Sequence, residues 1–271
     1  MIKTILITGA TDGIGLETAK RLAPEGHTLL MHGRNPQKVA ATVREVSALS
    51  GAGRVEPYVA DLSSIVQTAA LANKVREKHD TLDVLINNAG VFKTSHPIAD
   101  NGLDVRFVVN TVAPYVLTQE LLPLMGFSGR VVNVASAGQA PVDQDALAGR
   151  VRLSDMEAYA QSKLAIIMWS RAMAERRTDG PMVIAVNPGS LLASKMVREG
   201  FGVAGEDLGI GADILTRAAL SEEFYDANGK YFDNDKGRFT APHADALKTG
   251  KCEQLVQVIE ALLASEKEAA R

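Results

Sequence analysis

Short apolar runs alternate with helix-length amphipathic segments along the whole chain, and this alternation restricts the fold more than any other feature of the sequence. A strand without a polar face has to be covered on both sides. A helix following each strand supplies that cover, so the pattern is that of an α/β protein with a doubly wound, mostly parallel sheet. The strands read from the sequence are Thr4 to Ile7, Thr28 to Met31, Val55 to Val59, Val84 to Ile86, Arg130 to Val134 and Val183 to Val186, with a weaker last one near Lys230 to Phe232. With 271 residues, 46% hydrophobic and 23% charged, the chain has enough apolar material for a sizeable core, and a single domain over 1–271 is expected.

The same sequence narrows the partners. Net charge is -3 and no run of Lys or Arg exceeds two adjacent residues, so neither nucleic acid nor an anionic membrane is an expected partner. Cys252 is the only cysteine, which excludes an intrachain disulfide and a multi-cysteine metal centre and fits a reducing, cytoplasmic compartment. The first strand begins directly after Met1, leaving no room for a signal peptide, and no apolar stretch approaches the length of about eighteen residues that a membrane span needs. A small molecule is the expected partner.

Thr8-Gly9-Ala10-Thr11-Asp12-Gly13-Ile14-Gly15 follows the first strand and leads into a helix-like segment. Glycines there let the backbone turn sharply and approach a pyrophosphate, while the free N–H groups and positive dipole end of the helix face the anion. The spacing is G-x-x-x-G-x-G, and its alternative reading is an ordinary turn. After the second strand stands Arg34, where an acidic residue would accept from a ribose 2'-hydroxyl. A guanidinium suits a 2'-phosphate and so favours NADP(H) over NAD(H). A solvated arginine at a helix start is the other reading, and Asp12 on the same side argues against a phosphate.

Tyr159 and Lys163 stand four residues apart and share one face of a helix. Ser154 and Glu157 form a capping box at that helix's start, and the stripe continues through Ile167 and Arg171. A free phenol has a pKa near 10, so a catalytic tyrosine needs a cation beside it, and Lys163 is in reach. Ser136 ends an apolar strand at its carboxyl end, where open α/β sheets place their ligands. Taken singly, each of these residues also reads as helix-face or turn decoration.

In order and spacing, T-G-A-T-D-G-I-G, Asp61-Leu62, Asn87-Asn88-Ala89-Gly90, Asn110, Ser136, Tyr159-x-x-x-Lys163 and Asn187-Pro188-Gly189 resemble the short-chain dehydrogenase/reductase family over essentially the whole chain. The resemblance implies a Rossmann-type sheet of about seven strands in the order 3-2-1-4-5-6-7. It implies Tyr159 as acid/base, Ser136 as orienter of the carbonyl or alcohol, Lys163 on the nicotinamide ribose and Asn110 as holder of a relay water. For the cofactor it implies Gly9, Thr11, Asp12, Gly13, Ile14, Gly15 and Arg34, with Asp61 and Leu62 at the adenine. It adds Asn88, Ala89 and Gly90 alongside the cofactor and Pro188 and Gly189 beyond them. The function it implies is an NADP(H)-dependent oxidoreductase acting on a small, apolar carbonyl or alcohol, as a homodimer or homotetramer. A non-catalytic NADP-binding sensor or scaffold is the alternative.

The long segment between Ser136 and Tyr159, with Asn228-Gly229-Lys230-Tyr231-Phe232, resembles the retinol dehydrogenase-like branch. Where the family has a threonine after Pro-Gly, this chain has Ala193, and Ser194 is the candidate replacement. A substrate loop is expected over about 190–225, with the glycine-dense stretch Gly200 to Gly211 as its mobile part. Leu191, Leu192, Met196, Val197 and Phe201 read either as an amphipathic helix or as a pocket wall. Trp169 reads as core or subunit contact, and the family suggests pairing through its helix. His27, His32, His79, His96 and His243 lack metal-ligand spacing and read as surface or loop residues, so no metal is expected.

Overall fold

Ile5, Leu6 and Ile7 in the first strand, β1 (Thr4–Ile7), are each fully buried, and they divide between two cores. Leu6 joins Leu30, Leu85 and Val131 on one sheet face, while Ile5 and Ile7 join Leu29, Met31, Ile86 and Val132 on the other. Because both faces are covered, the strands read as continuous apolar runs rather than alternating ones. The computed structural model describes residues 1–177, 179–193, 196, 202 and 204–269.

The remaining strands are β2 (Thr28–Gly33), β3 (Val55–Val59), β4 (Val84–Asn87), β5 (Arg130–Val134), β6 (Met182–Asn187), β7 (Tyr231–Asp233) and β8 (Arg238–Phe239). Their order is β3-β2-β1-β4-β5-β6-β7-β8, parallel throughout except that β8 returns antiparallel to β7. The expected order is therefore present, with an eighth strand added. β8 is two residues long, too short to show a period in sequence, and it follows a tight Asn234 to Gly237 turn in which Gly237 has φ 63°. Between β1 and β4 the chain reverses its direction of travel across the sheet, and in such folds ligands bind at the carboxyl ends of the strands there.

Helices α1 (Gly13–Leu22), α2 (Pro36–Ser47) and α3 (Ile65–Lys78) follow the first three strands. Asn35 caps α2 as expected, its side chain accepting from the Lys38 N–H, with Pro36 at the first helical position. A helical stretch then runs from α4 (Val105–Phe107) through a π-helical turn at Val108–Val112 into α5 (Ala113–Leu121). Pro114 lacks an N–H, so the carbonyl of Asn110 has no donor four residues on, and the wider turn sits where the α-helical ladder is interrupted.

A short helix, α6 (Gln144–Leu147), occupies the long segment before α7 (Asp155–Arg176). Every residue of α7 from Gln161 to Ser170 is buried within the single chain. The last two helices are α8 (Leu208–Leu220), beside α1 on one face, and α9 (Thr249–Ala269), beside α7 on the other. Trp169 is fully buried, packs edge-on against Tyr115 at 5.6 Å, and belongs to the same apolar cluster as Cys252, Leu255, Val256 and Ile259 of α9. It is core. The expectation that subunits pair through this part of α7 is corrected by α9, which lies over it.

Two further expectations change. His32 and His27 are buried rather than superficial. Of the glycine-dense stretch, residues 208–211 open helix α8, whereas 200, 201 and 203 lie outside the described residues, as do Ser194, Val197 and the expected replacement contact.

Candidate active site

One cleft of about 1260 Å³ opens at the carboxyl ends of the strands. Its first wall is the glycine turn. Gly9 and Gly13 have φ 65° and 55°, and a side chain on Gly9 would lie 2.9 Å from the Ala89 Cα, so this close approach requires glycine. The turn is stitched to the end of β4: the Thr8 hydroxyl oxygen accepts from the N–H groups of Asn88 and Ala89, both at 3.0 Å, and Asn88 Nδ2 donates to the carbonyls of Thr8 and Gly9. Gly15 stands behind this seam, where a Cβ would come within 2.4 Å of Asn88 Nδ2 and the Gly9 oxygen. Asp12 caps α1 by accepting from the Gly13 N–H at 2.7 Å.

His32 braces the turn from beneath. Its Nδ1 accepts from the Gly9 N–H at 3.3 Å and its Nε2 pairs with the Ala60 oxygen at 3.1 Å, an arrangement that fits the neutral ring protonated on Nε2. Burial pushes its pKa down to about 4. Arg34 is exposed at the rim, and Lys38, one turn into α2, lines the same end. Asp61 lines the cleft while its Oδ1 accepts from the N–H and hydroxyl of Ser63, and Leu62 is buried beside it.

The other end is built on α7, whose capping box is present in full: the Ser154 N–H donates to Glu157 Oε2 at 3.1 Å and the Glu157 N–H donates to Ser154 Oγ at 3.4 Å. The helix is tied to the sheet by a buried polar chain. Asn87 Nδ2 donates to Asn133 Oδ1 at 2.8 Å, and Asn133 Nδ2 donates to the Ser170 hydroxyl at 2.8 Å. A fully enclosed chain of this kind fixes the helix relative to β4 and β5.

Tyr159 and Lys163 thereby face the cleft. Lys163 Nζ donates to the Val134 oxygen at 2.8 Å and lies 5.8 Å from the centre of the Tyr159 ring. The Tyr159 phenol interacts with the Ser136 side chain, and its ring packs against Phe92 at 5.0 Å. Burial raises the phenol pKa, an effect the Ser136 side chain opposes, and burial brings the Lys163 ammonium down to about 8.

Asn110 stands behind this group, in the π-helical turn. Its Oδ1 accepts from the Val91 N–H at 2.8 Å, and its Nδ2 donates to the Val91 oxygen and to the Ser162 hydroxyl, both at 2.9 Å. The side-chain amide is thus taken up by protein, and Asn110 does not line the cleft. Gly9, Thr11, Asp12, Gly13, Ile14, Arg34, Asp61, Leu62, Asn88, Ala89, Gly90, Ser136, Tyr159, Lys163, Pro188 and Gly189 all line it, whereas Gly15 does not.

Leu192 and Met196 also line the cleft, which favours the pocket-wall reading for those two, while Leu191 is largely exposed. Sequence reasoning missed several neighbours of the site. The Tyr231 hydroxyl donates to the Ser136 carbonyl at 3.1 Å, and Gln139 Nε2 donates to the same oxygen at 3.0 Å while its Oε1 accepts from the His243 N–H. Phe92 against Tyr159 was also unforeseen. Only Tyr231 had a local signal, as part of the final strand motif.

A family model described as short chain dehydrogenase matches residues 3–202. Human retinol dehydrogenase 13 is 30% identical over 263 residues, covering 90% of this chain and 80% of that protein. A crystal structure of an uncharacterized protein from Mycobacterium Paratuberculosis has a TM-score of 0.74 at 27% identity, covering 96% of this chain and 92% of that one. A short chain dehydrogenase from Burkholderia cenocepacia J2315, crystallised in complex with NADP, has a TM-score of 0.68 at 27% identity, over 85% of this chain and 95% of that one.

Proposed function

The chain belongs to the short-chain dehydrogenase family, on a branch with the retinol dehydrogenases, and from that premise we propose that it interconverts a carbonyl and an alcohol using NADP(H). The observation that carries this reading is the joint placement of Tyr159, Ser136 and Lys163 at one end of a cleft whose other end is the glycine turn. The residues fit a dinucleotide. Gly9 and Gly13 leave a side-chain-free cradle at the amino end of α1, and Lys163 at the opposite end can hold ribose hydroxyls.

A bound nicotinamide supplies or accepts the hydride. In reduction, the Ser136 hydroxyl donates to the substrate carbonyl oxygen and orients it, and Tyr159 delivers its phenolic proton to the same oxygen as negative charge develops there. The Lys163 ammonium favours the phenolate left behind. In oxidation the same groups act in reverse order. Phe92, Leu192 and Met196 give the substrate end an apolar wall, so the substrate is expected to be small and apolar. Asn110 positions the Val91 backbone beside the site.

Preference for NADP(H) rests on Arg34 and Lys38 at the rim, and on Asp12 being engaged by the Gly13 N–H rather than directed at a 2'-oxygen. Titration by nicotinamide fluorescence should give tighter binding of NADPH than of NADH. Arg34→Ala should weaken NADPH by about ten- to a hundredfold, the range for losing one charge-assisted contact, and leave NADH nearly unchanged. A clear preference for NADH would remove the role given to Arg34. Screening carbonyls and alcohols against the nicotinamide absorbance would then identify the substrate and separate an enzyme from a cofactor-binding sensor.

We expect the 1–271 chain to act as one domain in the cytoplasm, with 190–225 as its substrate-facing segment. As a homodimer or homotetramer, it would pair through surfaces other than the middle of α7.

A further inference from the structure

At the carboxyl end of β6 the chain turns through Asn187, Pro188, Gly189 and Ser190, and Pro188 and Gly189 line the cleft. The backbone beyond this turn is strained at one residue, Leu191. Gly189 has φ 127°, and Leu191 has φ 52°, in the left-handed region that a leucine side chain disfavours. Such a conformation persists only where its surroundings over-determine it.

Leu191 is itself held by Glu206, whose N–H donates to the Leu191 oxygen at 2.8 Å, and the groups that hold the 187–190 turn come from the turn after β7. Asp235 accepts from the Ser190 N–H at 2.8 Å, from the Ser190 hydroxyl at 2.6 Å and from Asn187 Nδ2 at 2.9 Å. Asn234 Nδ2 donates to the Pro188 oxygen at 2.9 Å, and Asp233 shares Asn187 Nδ2 at 2.9 Å while paired with Lys236. Asp235 thus directs three charge-assisted bonds into one four-residue turn, immediately before the strained Leu191. Asp235 itself does not line the cleft.

We propose that Asp235 is a positioning residue for the cofactor, holding the 187–190 turn in the shape that presents Pro188 and Gly189 to the nicotinamide half. This inference rests on the reading of the cleft as a dinucleotide site. It makes a directional claim, because Arg34 follows β2 and the held turn follows β6, four strands away in the sheet order, roughly 19 Å at the usual strand spacing. A defect at the turn should be felt by the nicotinamide half of the ligand and not by its adenosine half.

The test compares NADPH with 2',5'-ADP, which carries the adenosine half alone, on the full chain. Asp235→Ala should bind NADPH about tenfold more weakly, the loss expected from one or two such bonds, and bind 2',5'-ADP as the wild type does. Asp235→Asn, which sets an N–H2 group against other donors, should show the same split, and Ser190→Ala a smaller one. Wild-type NADPH affinity in Asp235→Ala would overturn the inference, as would equal loss of both ligands, which marks general loosening. A wild-type chain that binds no NADPH would instead overturn the dinucleotide reading, and this inference with it.

Discussion

Whether a phenol keeps or yields its proton depends on its surroundings, and at Tyr159 burial raises the pKa while the Ser136 side chain lowers it. In the free protein the phenol is therefore protonated at neutral pH, the form required to reduce a carbonyl. Lys163, brought down to about 8 by burial, carries its charge below that pH and loses it above. A neutral lysine no longer favours the developing phenolate. The pH profile of kcat/KM for carbonyl reduction, which reports the free enzyme, should thus fall as pH rises past about 8. A profile flat to pH 10 would contradict the role of Lys163. The candidate pair Tyr159 and Lys163 and the glycine turn were legible in the sequence because their pattern is local: the pair lies within one helical turn, and the glycines follow one strand. Tyr231 was not legible as a support for Ser136, from which it is separated by 95 residues, nor was the Gln139 contact to His243, 104 residues away. No spacing rule records contacts made by folding.

Among the elements, α7 carries the site and α9 covers it from behind. The amphipathic pattern announced a helix after Ser154, yet it did not reveal that Gln161 to Ser170 would be buried all round, because that depends on a helix some eighty residues further on. Leu255, Val256 and Ile259 bury almost completely against this face, each worth about 1.5–3 kcal/mol. Their sum is a large part of a typical domain's stability of about 5–15 kcal/mol. Removing residues 249–271 should lower the melting temperature sharply and cause self-association through the uncovered α5 and α7 surface. Light scattering after size exclusion reads the second effect. An unchanged melting temperature and mass would show that α9 adds nothing there. β8 escaped notice for the opposite reason, since two residues carry no period, although the Asn234 to Gly237 turn before it has the composition of a tight connection.

At the scale of the whole molecule, the alternation of apolar runs and helices marks a parallel sheet covered on both faces, because strands buried on both faces leave so plain a mark on sequence, whereas the strand order was legible only through the family resemblance. That order sets the reversal point between β1 and β4 and gathers sixteen of the eighteen expected site residues around one cleft, with only Gly15 and Asn110 standing behind its walls. The proposed substrate end was less legible, since Phe92 on its wall lies in a segment with no motif of its own. The central claim is that this cleft couples a nicotinamide hydride to a proton carried by Tyr159. The direct measurement is single-turnover NADPH oxidation by Tyr159→Phe with a carbonyl that the wild type reduces, alongside an NADPH fluorescence titration. Tyr159→Phe should lower the rate by about a hundred- to ten-thousandfold, the usual worth of a general acid, with NADPH affinity unchanged. Turnover at the wild-type rate would contradict that claim.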